Sequence, residues 1–152
     1  MNERVRRPKA FEETLERLGR PERGGNKSTV FESLKSALVF SASLALKVGL
    51  ERKPFSESSE KIPFAYFSNE FDKSFILSLA LTETEDVTIL HPERLKECLE
   101  IFEEYANSGL EYISQNLPGS ENSEDSFVLS FVANELENKD IIDEITSISS
   151  SI

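Results

Sequence analysis

Histidine and cysteine, the side chains that most often act as bases, nucleophiles or metal ligands near neutral pH, each occur once in the 152 residues. His91 stands directly before Pro92, a pairing that suits the start of a helix, and no serine elbow or other partner motif accompanies it. Cys98 adjoins Leu99 on the apolar side of a helical pattern and reads as a small buried hydrophobe. A lone cysteine makes no internal disulfide, and paired-histidine or cysteine-cluster metal sites are excluded by counting. Carboxylates are plentiful. Glu100, Glu103, Glu104 and Glu111 share one long helical segment, where a solvated outer face is their expected role. Walker-type phosphate loops, dinucleotide fingerprints and EF-hand loops are missing, and Gly24–Gly25 lie in a basic connector without the residues such loops require. The inventory predicts a binding module rather than an enzyme, with no catalytic residue, metal or cofactor.

Charge is distributed unevenly. The net charge is -11, yet residues 1–27 carry eight basic residues (Arg4, Arg6, Arg7, Lys9, Arg17, Arg20, Arg23, Lys27) against five Glu. The rest of the chain is therefore at -14. An acidic body repels nucleic acid, so any phosphate contact must be local, and "RVRRPK", with Arg4, Arg6, Arg7 and Lys9, is the candidate. The competing role for this arm is to pack against the acidic body of its own chain. No apolar signal region and no run of about 18 apolar residues is present, which predicts a soluble, cytoplasmic protein with no membrane partner.

Periodicity places these residues on helices. Pro8 opens a helix with Phe11, Leu15 and Leu18 on one face, ended by Gly19, and "RPERGGNKS" over residues 20–28 reads as a connector. Thr29 and Glu32 form an expected capping box for a strongly apolar helix, hence a central one, that runs to Gly49. Residues 50–63 read as an irregular connection, with a short extended piece in "KIPFAYF". From Asn69 a helix places Phe71, Phe75, Ile76, Leu79 and Ala80 on one face, and "ILH" is an extended lead-in to Pro92.

The next segment poses a problem, because "EEYANSGLEYI" sets Asn107, Ser108 and Gly109 in succession and glycine costs a helix roughly 1 kcal/mol against alanine. Leu95, Leu99, Phe102, Ala106, Gly109 with Leu110, and Ile113 repeat at threes and fours without a slip, which predicts one helix from Pro92 to Asn116. Ala106 and Gly109 would then form a flat patch for the close approach of another helix; the alternative is a helix that stops at Gly109. Ser123 is an expected cap for a further helix, and Ile141, Ile142, Ile145 and Ile148 belong to a last one that frays over residues 139–152. The fold class is all-α: a single domain, residues 1–152, with five or six helices in a compact bundle.

Four blocks, "RVRRPKAFEETLERL", "FESLKSALVFSASLALKVG", "FDKSFILSLALTETEDVTIL" and "RLKECLEIFEEYANSGLEYI", resemble the Dnd system-associated protein 4 family over roughly residues 4–115. The most specific of them is "IFEEYANSGLEYI", where the family usually shows a second glycine at the position of Ser108. Such proteins accompany DNA phosphorothioation, in which sulfur replaces a non-bridging phosphate oxygen and marks host DNA for restriction systems. The resemblance implies an accessory whose partners are other Dnd restriction or modification proteins; the residue inventory makes it non-catalytic, and charge makes Arg4, Arg6, Arg7 and Lys9 its candidate DNA contact. Within the long helix, Phe102, Tyr105, Ala106, Asn107 and Gly109 are the candidates for helix packing or an interface. Some of the eleven Phe, Phe55, Phe64 and Phe67 among them, either serve that interface or fold back over the core. A DNA-binding regulator and an acidic DNA mimic are the competing functions; the former normally brings a basic recognition helix, and no helix after residue 29 carries a cluster of basic residues.

Overall fold

The computed structural model describes residues 3–19, 29–117 and 123–136, and among them the fold is mostly helical, with five α-helices and one two-stranded sheet. The chain divides into two compact units, residues 1–115 and 116–152.

The first unit begins with β1 (Arg4–Val5), which pairs antiparallel with β2 (Ile62–Pro63) so that Arg4 faces Pro63 and Val5 faces Ile62. Val5 is fully buried by this pairing. A 3-10 turn over Lys9–Phe11 leads into α1 (Glu12–Leu18), whose Leu15 and Leu18 reach the core before Gly19 ends it in an extended conformation.

α2 (Leu34–Lys47) starts later than the Thr29 capping box implies. Its cap is Ser33, whose hydroxyl accepts from the Ser36 amide at 3.2 Å, while the Thr29 hydroxyl donates to the Phe31 carbonyl instead. The chain before Ser33 is held by a bridge between Gly19 and Phe31, which keeps residue 31 out of helical geometry. Gly49, at φ 76°, closes α2 in the left-handed conformation that suits glycine.

α3 (Glu70–Thr84) is capped by Asn69, which accepts from the Asp72 amide at 2.7 Å. Phe71 was expected on its inner face but is 71% exposed. The buried face is centred on Asp72, Ile76, Leu79 and Ala80, and Phe71 lies about 100° round the axis from Asp72. Asp72 takes the inner position because Lys35 meets its carboxylate at 2.8 Å. "ILH" is likewise not extended: Val87–Leu90 form a 3-10 turn, and only His91 is extended, its ring accepting weakly from the Glu93 amide at 3.4 Å.

α4 (Leu95–Asn116) follows the 3-10 turn Pro92–Arg94 and runs without a break through Asn107, Ser108 and Gly109. Ten consecutive residues, Ile101 to Leu110, are buried, so this helix is enclosed on every side. Phe67, Phe102, Leu38, Leu44, Ile76, Ile89, Leu110 and Ile113 fill the core around it, each with essentially no exposure. Burial of one such side chain contributes about 1.5–3 kcal/mol, so the cluster far outweighs the roughly 1 kcal/mol that Gly109 costs the helix.

In the second unit, α5 spans Ser123–Leu136 and leaves Leu129 and Val132 exposed. The connector expected over residues 20–28 and the fraying expected over 139–152 lie outside the described residues.

Candidate functional site

Glu103 and Glu104, expected on a solvated face, are instead buried at 4% and 7% exposure. Carboxylates are almost never enclosed without partners, and here the partners come from segments distant in sequence. Arg6 donates through its side-chain Nε to Glu103 Oε1 at 2.9 Å and through its backbone amide to Oε2 at 2.6 Å. Its Nη1 reaches the Phe55 carbonyl at 3.0 Å, and the guanidinium lies 4.3 Å above the centre of the Phe55 ring. Burial raises the Glu103 carboxyl above its ordinary value, and Arg6 pulls it back down.

Glu104 holds a second cation. Arg52 Nη1 lies 3.2 Å from Glu104 Oε1 and its Nε lies 3.1 Å from Glu83 Oε1, so one guanidinium ties α3 to α4. Tyr105 donates to the other Glu83 oxygen at 2.5 Å; burial first, and that carboxylate second, push the phenol up to about 12. Asn107 donates to the Lys53 carbonyl at 3.0 Å, Ser108 donates to the Glu51 carbonyl at 2.5 Å, and the Lys53 amide donates to the Glu104 carbonyl at 3.2 Å. Residues 51–55 are thereby strapped along one side of α4. Lys53 and Glu111 extend the strap with a surface ion pair.

The small residues serve the opposite side. An added Cβ at Gly109 would land on the backbone of Ser41, 2.5 Å from its carbonyl carbon, a distance real Cβ atoms do not show. α2 and α4 therefore touch backbone to backbone, with Ala106 buried one turn earlier. Phe102 packs edge-on against Phe67 (5.8 Å between centroids) and Phe75 (6.4 Å). Phe67 is fully buried, Phe64 stacks on it, and Phe55 lies under Arg6; these three rings fold back over their own chain.

The basic N-terminal segment is docked rather than loose. Arg7 binds Glu12 at 3.1 Å, and its backbone exchanges bonds with Ser58 and Ser59. The Lys9 amide donates to Glu57 and the Phe64 amide to Glu3, closing a ladder between residues 3–9 and 57–64. Of the four cations nominated for DNA, Arg4 and Lys9 are exposed, while Arg6 and Arg7 are held by carboxylates. Lys9 also lines a shallow cleft of about 410 Å³ with Pro8, Ala10, Phe55, Ser56, Glu57 and Asn107.

Arg52, Lys53 and Glu83 were not singled out from the sequence. The readable signal was the spacing: Asn107 and Ser108 follow Glu103 and Glu104 by four residues each, which stacks polar groups in two adjoining rows on one helix. Among the described residues, no three His, Cys, Asp or Glu side chains converge as a metal site would require, and no helix is long and apolar enough to cross a membrane. Cys98 is fully buried, donates to the Ile89 carbonyl at 3.3 Å, and has its thiol raised by burial. It should react with a thiol reagent at neutral pH at least about a hundredfold more slowly in the native protein than in denaturant, as a colorimetric thiol assay would read.

No curated protein and no solved structure matches this chain. A family model does, and it extends past the region of resemblance at residue 115, through α5 and on to residue 149. That span includes the docked N-terminal segment, the strap and the whole of α4, and the chain belongs to the DNA sulphur modification system-associated protein 4 family.

Proposed function

We propose that this chain is a non-catalytic accessory of a DNA phosphorothioation-linked restriction and antiphage system, located in the cytoplasm and working by docking onto another protein of that system. Association with the sulphur modification system follows from the family. The observation that supports the non-catalytic part is the fate of the "EEYANS" block: Glu103, Glu104, Tyr105, Asn107 and Ser108 each bond to another segment of the same chain. Groups so engaged serve to hold the fold together, which supports a structural rather than a chemical role for the block. Co-purification of the full chain with the modification and restriction proteins of its own system tests this reading. A stoichiometric complex with one of them is expected. Turnover of DNA or nucleotide by the isolated chain would contradict it.

A DNA contact through the N-terminal segment draws support from the exposure of Arg4 and Lys9. Two phosphate contacts give log affinity a slope no steeper than about -2 against log salt. A gel-shift series on duplex DNA should therefore show weak binding at low salt, lost in the Arg4→Ala, Lys9→Ala double variant. A slope of several would require cations beyond these two.

A further inference from the structure

Between the end of α3 and the start of α4, the chain turns a corner that is exposed, apolar at its tip and unusually well fastened. Val87 is 72% exposed and Leu90 is 41% exposed. They sit three residues apart in a 3-10 turn, which places them on one side, while Ile89 between them is fully buried as the anchor. Arg94 clasps the turn from below, donating to Asp86 at 3.0 Å, to Thr88 at 2.8 Å and to Glu97 at 2.8 and 3.1 Å. Thr88 bonds Asp86 through both its amide and its hydroxyl, and Cys98 holds the Ile89 carbonyl. The turn thus holds Val87 largely, and Leu90 partly, open to solvent in a fastened geometry.

The surroundings specify what fits. Residues 83–97 carry five carboxylates against two cations, and one of those cations, Arg94, is occupied within the clasp. Glu85 and Glu93 are exposed and flank the turn in sequence, one on either side of the apolar pair. We infer that this corner is a docking surface for a protein bearing an apolar depression rimmed by Lys or Arg, which Val87 and Leu90 enter while Glu85 and Glu93 meet the rim. A second copy of this chain is disfavoured, because its net charge of -11 opposes an acidic corner and pairing of Arg6 and Arg7 leaves only Arg4 and Lys9 exposed among the cations of residues 3–9. The inference rests on the docking function proposed above and names the surface and the partner's chemistry.

Binding of the full-length chain to each purified modification and restriction protein of its own system, measured by calorimetry at low and moderate salt, provides the test. Val87→Asp with Leu90→Asp should weaken the complex more than tenfold. Glu85→Lys with Glu93→Lys should weaken it as well and flatten its salt dependence, without relying on the apolar pair. Phe71→Asp, at an apolar position on α3 as exposed as Val87, should leave affinity within about twofold of wild type. Wild-type binding that both corner variants retain, or that Phe71→Asp alone abolishes, overturns the inference and leaves the docking function standing. Failure of every one of these proteins to bind the wild-type chain overturns both.

Discussion

Gly109→Ala should lower the melting temperature by roughly 6 °C or more, although the same change in an open helix would raise stability by about 1 kcal/mol. The sign reverses because of Ser41. The new Cβ would meet the carbonyl group of Ser41, which belongs to the backbone of α2 and cannot rotate aside. Forcing an extra carbon into a packed core typically costs 1–3 kcal/mol, and a clash between two helix backbones belongs at or above the top of that range. After the gain in helix propensity is deducted, about 2 kcal/mol of net loss remains. Gly109→Leu should abolish cooperative melting altogether. Circular dichroism at 222 nm during heating reads both, and an alanine variant as stable as wild type would mean that α2 and α4 do not meet at Gly109.

Arg6→Ala should cost about 3 kcal/mol at pH 7, the lower end of the 3–5 kcal/mol seen when one partner of a buried pair is removed, because Arg6 is itself partly exposed. The loss depends on pH in a definite direction. Burial raises the Glu103 carboxyl, so the native state holds its proton more tightly than the unfolded chain does. A raised carboxyl contributes stability that is complete below the unfolded value and disappears as pH rises through the folded value. Without the Arg6 guanidinium the folded value climbs further, because its side-chain hydrogen bond and its charge no longer pull it down, while the backbone amide of residue 6 still donates to the carboxylate. The gap between wild type and Arg6→Ala should therefore be widest near neutral pH and should shrink as the solution is acidified to about pH 4. Glu103→Gln keeps an acceptor for the Arg6 amide and removes the charge, and should cost less than Arg6→Ala. Denaturant melts of the three proteins at two pH values check both the order and the direction.

The helices of this chain were largely legible in its sequence, and α4 shows why. Local periodicity carries enough information to run a helix through Asn107, Ser108 and Gly109, because a true break would have shifted the apolar register on the far side. The errors arise where a residue's role depends on a distant segment. Glu103 and Glu104 read as a solvated pair because carboxylates are exposed by default, and the partners that reverse this, Arg6 and Arg52, lie 97 and 52 residues away. Phe71 reads as core because it is aromatic and in phase with Phe75, yet Asp72 takes the inner place once Lys35 of α2 is beside it. Thr29 and Glu32 satisfy the pattern of a capping box, but the Gly19–Phe31 bridge keeps residue 31 out of the helix, which begins only after Ser33. Local chemistry was readable in each case; tertiary pairing decided which local signal prevailed.

The N-terminal segment is where that distinction bears most on function. As a sequence, "RVRRPK" is a basic arm available to phosphates. In the fold, its backbone and half of its cations serve as a strut against α4 and against residues 57–64, which leaves Arg4 and Lys9 outermost.

Native-state hydrogen exchange at the backbone amides of Arg6, Lys9, Lys53 and Ser59 is the most direct measurement of this arrangement, since each donates to an acceptor on another segment. Protection factors on the order of 10³ or greater are predicted, approaching those of the middle of α4 for Arg6 and Lys53. Exchange at the rates of an unstructured peptide would show the segment and the strap to be loose, and would contradict the account.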